Sequence, residues 1–551
     1  MIHTPDLIIS GLYIAVIFII GLWSGIRHQQ KTKNNNNEAG EYFLAGKKLR
    51  WPMIGLALFA TNISCVHLVS LAQSGFDTGL LNGDFEWMAA FTLILLALFF
   101  APFYIKSGVS TLPDFLEKRY DRASRDWLAI ISVVSAVLIH IAFSLLAGGI
   151  VLHTLFGVDM YTSVIIISII TTIYTIVGGL TAVVVTESIQ TVVLLGGAII
   201  MSIAAYTKMG GWEPMVEVLK HTGQLNKLSM LRPHGDASGM PWYAVFLGYP
   251  VLGIWYWCAD QTIVQRVLGA KDENHARVGP LFCGFIKILP VFIFVMPGLF
   301  AYTLAQSGHL DISALKSVVD GKEVVNSKGI YTLMITQLIP PGLIGVLVAA
   351  LLSGLMSQIS GALNSISTIV SYDIYKRYKP EATDKKLVSV GKIAAGVALV
   401  LSLMLLPLLN NYESIFNGLN DIIAHIAPPI TCVFLLGVFW EKASAVSAKY
   451  TLWIGSAIGV AVFIIGKVYP ASAIGSIPFM MMAFYLFVVC LCLQVVLSYM
   501  YPVQHTKESA TLYWKSPWEP LRGVAWSGLG NYKVLSVLLI GIMAILFYIF
   551  R

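Results

Sequence analysis

This sequence has little charge for its length. Asp, Glu, Lys and Arg together make up 12% of the 551 residues, about half the share expected of a soluble protein. That excludes an ordinary water-soluble globule. Cysteine is also scarce. The six present, Cys65, Cys258, Cys283, Cys432, Cys490 and Cys492, all fall in apolar segments. No disulfide framework is expected, and they read as small hydrophobes. There is no nucleophile–base motif, no HExxH helix and no phosphate-binding loop, so nothing supports an enzyme or an organic cofactor. The N-terminus lacks the basic region and small-residue cleavage site of a secretory signal, and its first apolar run is expected to be retained. The net charge of +7 is no argument for nucleic acid, because topology accounts for it.

Apolar residues are what the sequence has in abundance, at 57% of the chain with a mean hydropathy of +0.76. Runs near or above ~20 residues, long enough to cross a bilayer, recur from end to end. The expected architecture is an all-α integral membrane protein with about 14 spans. They lie at 6-26, 52-73, 85-105, 127-155, 161-184, 187-207, 241-265, 281-305, 337-371, 389-408, 415-440, 450-468, 474-499 and 534-550. Loops alternate in charge. Arg27, Lys31, Lys33, Lys47, Lys48 and Arg50 mark one basic side, as do Lys106, Lys118, Arg119, Arg122 and Arg125, and later Lys376, Arg377, Lys379, Lys385 and Lys386. The loops 74-84, 156-160 and 409-414 carry no Lys or Arg. Basic loops stay inside, which predicts a multi-pass protein of the cell (inner) membrane with both termini outside and an even number of spans. Segments 208-240 and 306-336 are expected as external loops or short helices. "QQKTKNNNNEAGE" reads as a cytoplasmic linker. No soluble domain can be cut out, and no internal repeat is visible in the residues.

Several residues do not belong in lipid. "ATNISCVH" (60-67) sets Thr61, Asn62, Ser64 and His67 in the middle of a span. One regular helix cannot satisfy them all. Either they bond to neighbouring helices, or the helix is broken and lines a ligand site. Glu86 and Lys287 each lie in an apolar run. They either pair with each other or, with an imidazole, offer the donors and acceptors a polyhydroxylated ligand needs. In "GYPVLGIWYWCADQTIVQR" (248-266), Gly248, Pro250 and Gly253 permit unwinding beside Trp255, Tyr256 and Trp257. That trio is either a platform or gate, or an interfacial aromatic cluster. Ser353, Ser357 and Ser360 share a helical face with Gly361 and Asn364. Such a face serves close packing, or supplies oxygens to a hard alkali cation.

The stretches "YFLAG" (42-46), "TLPDFLEKRY" (111-120), "YTIVGGLTAVVVTESIQTV" (174-192), "WYWCADQTIVQRVLGAK" (255-271), "LNSISTIVSYDIY" (363-375) and "PPITCVFLLGVFW" (428-440) resemble the solute:sodium symporter family, and within it the sodium/glucose cotransporter branch. The resemblance runs from Asp6 to Phe550. It implies the 5+5 inverted-repeat core of the amino-acid/neurotransmitter sodium symporters in one transporter domain, 1-551. The first helix is 6-26, the core repeats are 52-207 and 241-440, and further helices occupy 450-551. Substrate and sodium are then expected between broken helices.

Carried over by resemblance, the substrate site is Asn62, His67, Glu86, Tyr256, Lys287 and Asn420, the last standing where sugar carriers have Gln. Tyr256 is the inner gate, and Leu71, Phe85 and Phe416 are the outer one. Sodium falls to Ala60, Ile63, Gly354 and Ser357. Gln358 replaces a serine and is expected either to fold its amide oxygen onto the ion or to turn to a neighbouring helix, the first being favoured. Glu187, in place of an Asp, and Ser360 are the candidates for a second cation, although Gly361 removes a hydroxyl there. The implied function is import of a glucose- or galactose-like monosaccharide on the sodium gradient by alternating access. The alternatives are a carrier of myo-inositol, another polyol or a sugar derivative, and a weakly coupled sugar sensor or ion-leak protein on the same fold. The expected partners are the sugar or polyol, sodium and membrane lipid.

Overall fold

The computed structural model of the protein describes residues 3-32, 37-236, 238-319, 322-409 and 415-551. Eleven helices among the described residues are long and apolar enough to cross a membrane. Helix is the form such runs must take, because hydrocarbon offers the backbone no hydrogen-bond partner. Burial sorts them into inner and outer members. Of the most apolar window in Leu343–Tyr378, 89% is buried, and in Cys65–Ser107 78%. Thr4–Gln30, Ala445–Val468 and Tyr532–Ile549 bury only 22% each. The outer helices turn residues such as Leu12, Met404 and Val537 outward, where lipid replaces water as the solvent.

Three interruptions position the interior. The helix Trp51–Asn62 stops and Cys65–Thr78 begins, with Ile63 (φ −81°, ψ 108°) and Ser64 (φ −110°, ψ 178°) extended between them. A second break falls at Asp260 (φ −87°, ψ 122°), between Trp242–Ala259 and Gln261–Leu268. The Gly/Pro stretch expected to unwind does not: Trp242–Ile254 is helical with Pro250 inside it. Gly248 and Gly253 serve close approach instead. A Cβ on Gly248 would lie 2.2 Å from the Met480 carbonyl, and one on Gly253 2.6 Å from the Tyr249 ring. The third interruption is Gly179 (φ 58°, ψ −157°), a kink in Met160–Met209. The boundary between the two spans expected there, at 185-186, is therefore helical.

The all-α expectation gains a small exception in 306-336, where Lys316–Val319 and Lys322–Val325 form an antiparallel hairpin. In 208-240 the chain forms the helix Trp212–His221. Both described chain ends are tied to this end of the bundle. Asp6 accepts from Gly342 and Gly345 N–H at 2.8 Å each, and the Phe550 carbonyl accepts from Met230 N–H at 2.8 Å. The basic loops gather at the opposite end, where Arg125 joins Asp114, Glu117 and the buried Asp373.

Candidate functional site

The first break builds one wall of a cavity. Ser64 caps the helix Cys65–Thr78 by accepting from Val66 N–H at 3.1 Å, and His67 Nδ1 accepts from Ser64 N–H at 3.3 Å. This reciprocal cap satisfies donors that a broken helix leaves open. It also fixes the imidazole, whose Nδ1 is an acceptor and whose Nε2 carries the proton.

All six residues expected at the substrate site, Asn62, His67, Glu86, Tyr256, Lys287 and Asn420, line this one cavity, which holds about 690 Å³ of space counting its open mouth. Four of them form a single network. The Lys287 ammonium donates to the Glu86 carboxylate, and to Asn62 Oδ1 at 2.6 Å. The Asn62 amide then donates to the Tyr256 hydroxyl at 3.2 Å. Glu86 and Lys287 are 2% and 1% exposed. Each charge is therefore compensated by the other, as burial requires. The two roles held open for them are not exclusive, because the paired groups still line the cavity.

The expected gates divide. Phe85 lines the cavity, with its ring against Tyr249 at 5.8 Å and Phe479 at 6.3 Å. Leu71 is fully buried one turn beyond His67 and belongs to the packing behind the wall. The Phe416 side chain lies outside the described residues.

Helix Leu343–Ile369 crosses the first break closely, because Gly354 has no side chain: a Cβ there would lie 2.8 Å from Cys65 N. At this crossing the Ser357 hydroxyl donates to the Ala60 carbonyl at 2.9 Å and to the Gly354 carbonyl at 3.2 Å. Three of the five oxygens expected around sodium are thus gathered, with Ile63 at the break beside them. The other serines of the stripe do different work. Ser353 meets the Tyr13 hydroxyl at 2.6 Å, and Ser360 donates back to the Ser357 carbonyl at 3.1 Å.

Gln358 departs from the favoured expectation. Its amide nitrogen lies 2.6 Å from His140 Nδ1, so the side chain turns to a neighbouring helix and lines the cavity. Residues adjacent in a helix point about 100° apart, which separates Gln358 from the carbonyls facing Ser357. The expected second cation site is occupied by protein. Glu187 is bound by Arg266, through Nε at 3.3 Å and again through Nη2, and by the Thr61 hydroxyl at 3.1 Å. A Cβ on Gly361 would lie 2.5 Å from Arg266 Nη2 and 3.1 Å from Glu187 Oε1. Gly361, which offers no hydroxyl to a cation, leaves the room in which the guanidinium sits.

Sequence reasoning missed His140, Ser144 and Tyr249, which also line the cavity. His140 carried a usable signal: an ionisable residue alone in the apolar run "SAVLIHIAFS". It sits in a π-helical stretch, Ala136–Ala142, a widening that often re-aims side chains at functional sites.

Interrupted helices around a polar chamber, inside an apolar bundle, define a multi-pass membrane protein with an internal small-molecule site. The Sodium:solute symporter family profile matches residues 42–455, and the chain belongs to that family. It is 32% identical over 494 residues to Sodium/glucose cotransporter 4 of Mus musculus, across 86% of this chain and 70% of that protein. To Sodium/mannose cotransporter SLC5A10 of Bos taurus it is 32% identical over 498 residues, across 86% and 82%. A Na+-coupled sialic acid symporter, solved in a substrate-bound outward-open state, superposes with a TM-score of 0.77 over 92% of this chain and 100% of that one. At 22% identity that likeness speaks for the fold.

Proposed function

We propose that the chain is a sodium-coupled symporter that imports a hexose-like monosaccharide by alternating access. The observation that carries this reading is the Glu86–Lys287–Asn62–Tyr256 network on the wall of the cavity. It combines donors and acceptors and has no net charge, which suits a neutral polyhydroxylated solute. The names of the relatives, sodium/glucose and sodium/mannose cotransporters, favour a hexose. Sodium is assigned to the carbonyls of Ala60, Ile63 and Gly354 with the Ser357 hydroxyl, oxygen donors of the kind a hard cation takes. Gln358 is left out of that set, and no second cation is assigned to Glu187 and Ser360. Tyr256 serves as inner gate, and Phe85, Leu71 and Phe416 as the outer one.

Two breaks, one in each half of the core, support the 5+5 repeat, in which 52-207 and 241-440 are inverted copies within one domain. About 14 crossings result when Cys65–Ser107 is divided near Gly79–Gly83 and Met160–Met209 at Gly179, and the interrupted 242-268 segment is added to the eleven helices. Attachment of both described ends to one end of the bundle, away from the basic loops, favours an even count with both termini outside.

A second reading, a polyol carrier, is favoured by Asn420, one methylene shorter than the Gln of sugar carriers. The deciding experiment is accumulation of labelled sugars and polyols in proteoliposomes under an imposed sodium gradient. Accumulation of glucose, galactose or mannose above equilibrium supports the first reading, and of myo-inositol alone the second. Binding without sodium-driven accumulation would indicate a sensor or leak, and no binding of either class would sink both readings.

A further inference from the structure

The Glu86–Lys287 network is not the whole polar wall. His140 and Gln358 line the same cavity and are 1% and 4% exposed. They belong to a separate relay, in which Gln358 Nε2 lies 2.6 Å from His140 Nδ1 and His140 Nε2 lies 3.1 Å from Asp260 Oδ2. Its polarity follows from its anchor. A carboxylate only accepts, so His140 carries its proton on Nε2 and donates it to Asp260. In the neutral ring Nδ1 is then an acceptor, and the amide nitrogen of Gln358 meets it at 2.6 Å. Asp260 is held in turn, since Oδ1 caps the helix Gln261–Leu268 through Thr262 N–H at 2.7 Å and Ile263 N–H at 3.3 Å.

The relay therefore commits one end of the amide and leaves the other. Gln358 Oε1 is buried and has no hydrogen-bond partner. Buried polar atoms are usually paired, and this acceptor belongs to a residue that lines the cavity, where a donor from a bound molecule can reach it. Sodium is a poor match for it, because the oxygens gathered at the break face Ser357, and the Gln358 side chain leaves the helix toward His140.

We infer that Gln358 is a recognition residue for the transported solute: its amide oxygen accepts a hydrogen bond from one hydroxyl of the cargo, and His140 and Asp260 are positioning residues that hold the amide in that orientation. This rests on the chain being a carrier of a polyhydroxylated solute. A site built to bond one hydroxyl rejects the analogue that lacks it, because the protein group is then stranded.

The test uses full-length protein in proteoliposomes, the best-transported sugar and its set of monodeoxy analogues as competitors. In the wild type, one analogue should compete about tenfold more weakly than the parent because of this contact. Gln358→Met keeps the length of the side chain and removes the acceptor. The parent sugar should then bind about tenfold more weakly, and the penalty for that one analogue should fall below about threefold, the others being unchanged. His140→Phe frees the amide and should blunt the same position. A change of rank at one hydroxyl is something a general loss of stability does not produce, and His140→Phe carries the test if Gln358→Met does not reach the membrane. Sodium titrated alone in a thermal-shift assay should give the same midpoint in wild type and Gln358→Met. An intact set of deoxy penalties in both variants overturns the inference, as does a shifted sodium midpoint with sugar selectivity preserved. A wild type that binds no sugar removes the functional reading and this inference with it. A sugar-accumulating wild type with unaffected variants removes this inference alone.

Discussion

The Ser357 hydroxyl donates to the Ala60 carbonyl at 2.9 Å, joining two helices that are 297 residues apart in the chain. Ala60 sits in the last turn before the break, where helix carbonyls lose their own partners. A cation entering here would take the place of the hydroxyl proton and draw on both oxygens. Ser357→Ala is expected to raise the sodium concentration for half-maximal uptake by more than about tenfold, the loss of one charge-assisted contact or more. Gly354→Ala should do the same by another route, since its Cβ would force the helix off Cys65. Uptake that remains fully sodium-dependent at unchanged half-saturation in both variants would remove the cation from this crossing.

The pair between Glu86 and Lys287 gives a prediction that separates folding from transport. Glu86→Gln or Lys287→Met strands a buried charge, which typically costs about 3–5 kcal/mol. Each single variant should melt at lower temperature in detergent. The double variant should recover most of that stability, because neither charge remains. Uptake should stay at least about tenfold down in all three, since the hydroxyl partners are gone. A double variant that transports like the wild type would make the pair purely structural.

Gly361→Ala should destabilise by about 1–3 kcal/mol, the usual penalty for overpacking, because the methyl meets Arg266 and Glu187. Gly361→Ser should behave alike and add no sodium per solute in current or flux measurements. A serine variant of normal stability that transports an extra sodium would restore the second cation site.

Orientation can be read with a membrane-impermeant thiol label on intact cells. Single cysteines at Glu213 and Lys328 should react, and one at Gln30 should be protected. Labelling at Gln30 without labelling at the other two would reverse the topology.

Much of the architecture was legible because period and length decide it: an apolar run of about 20 residues has few other options. The first break was legible from Asn62, Ser64 and His67, polar groups that no lipid-facing helix carries without cause. The second was misplaced. Gly248, Pro250 and Gly253 look like helix breakers, yet neighbouring helices pack into the room they leave, whereas the true stop is signalled by Asp260, a strong N-cap residue followed by "QTIVQR". Fates of side chains were hardest to foresee. Gln358 had two partners within reach in principle, and its choice depends on His140, 218 residues earlier. Glu187 looked available for a cation because nothing in its own segment reveals that Arg266 arrives there. The hairpin at 316-325 did have a signal, the Asp320-Gly321 pair between two valine-ended stretches, KSVV and KEVV.

Glu187 does more than neutralise Arg266. Through Thr61 it reaches Trp51–Asn62, and through Arg266 it reaches Gln261–Leu268. These are the halves of the two interrupted helices that lead to the basic loops, and Leu49 and Lys271 join them again outside the bundle, N–H to carbonyl at 2.9 Å. Separating the buried ions during a transport cycle would cost several kcal/mol. The two half-helices, tied to each other at Leu49 and Lys271 and both to Met160–Met209 through Glu187, are expected to keep their mutual distance through the cycle. Spin labels at Met53 and Lys271 should keep a single separation with and without sodium and sugar, and a second distance population appearing on sugar binding would show that the two move separately.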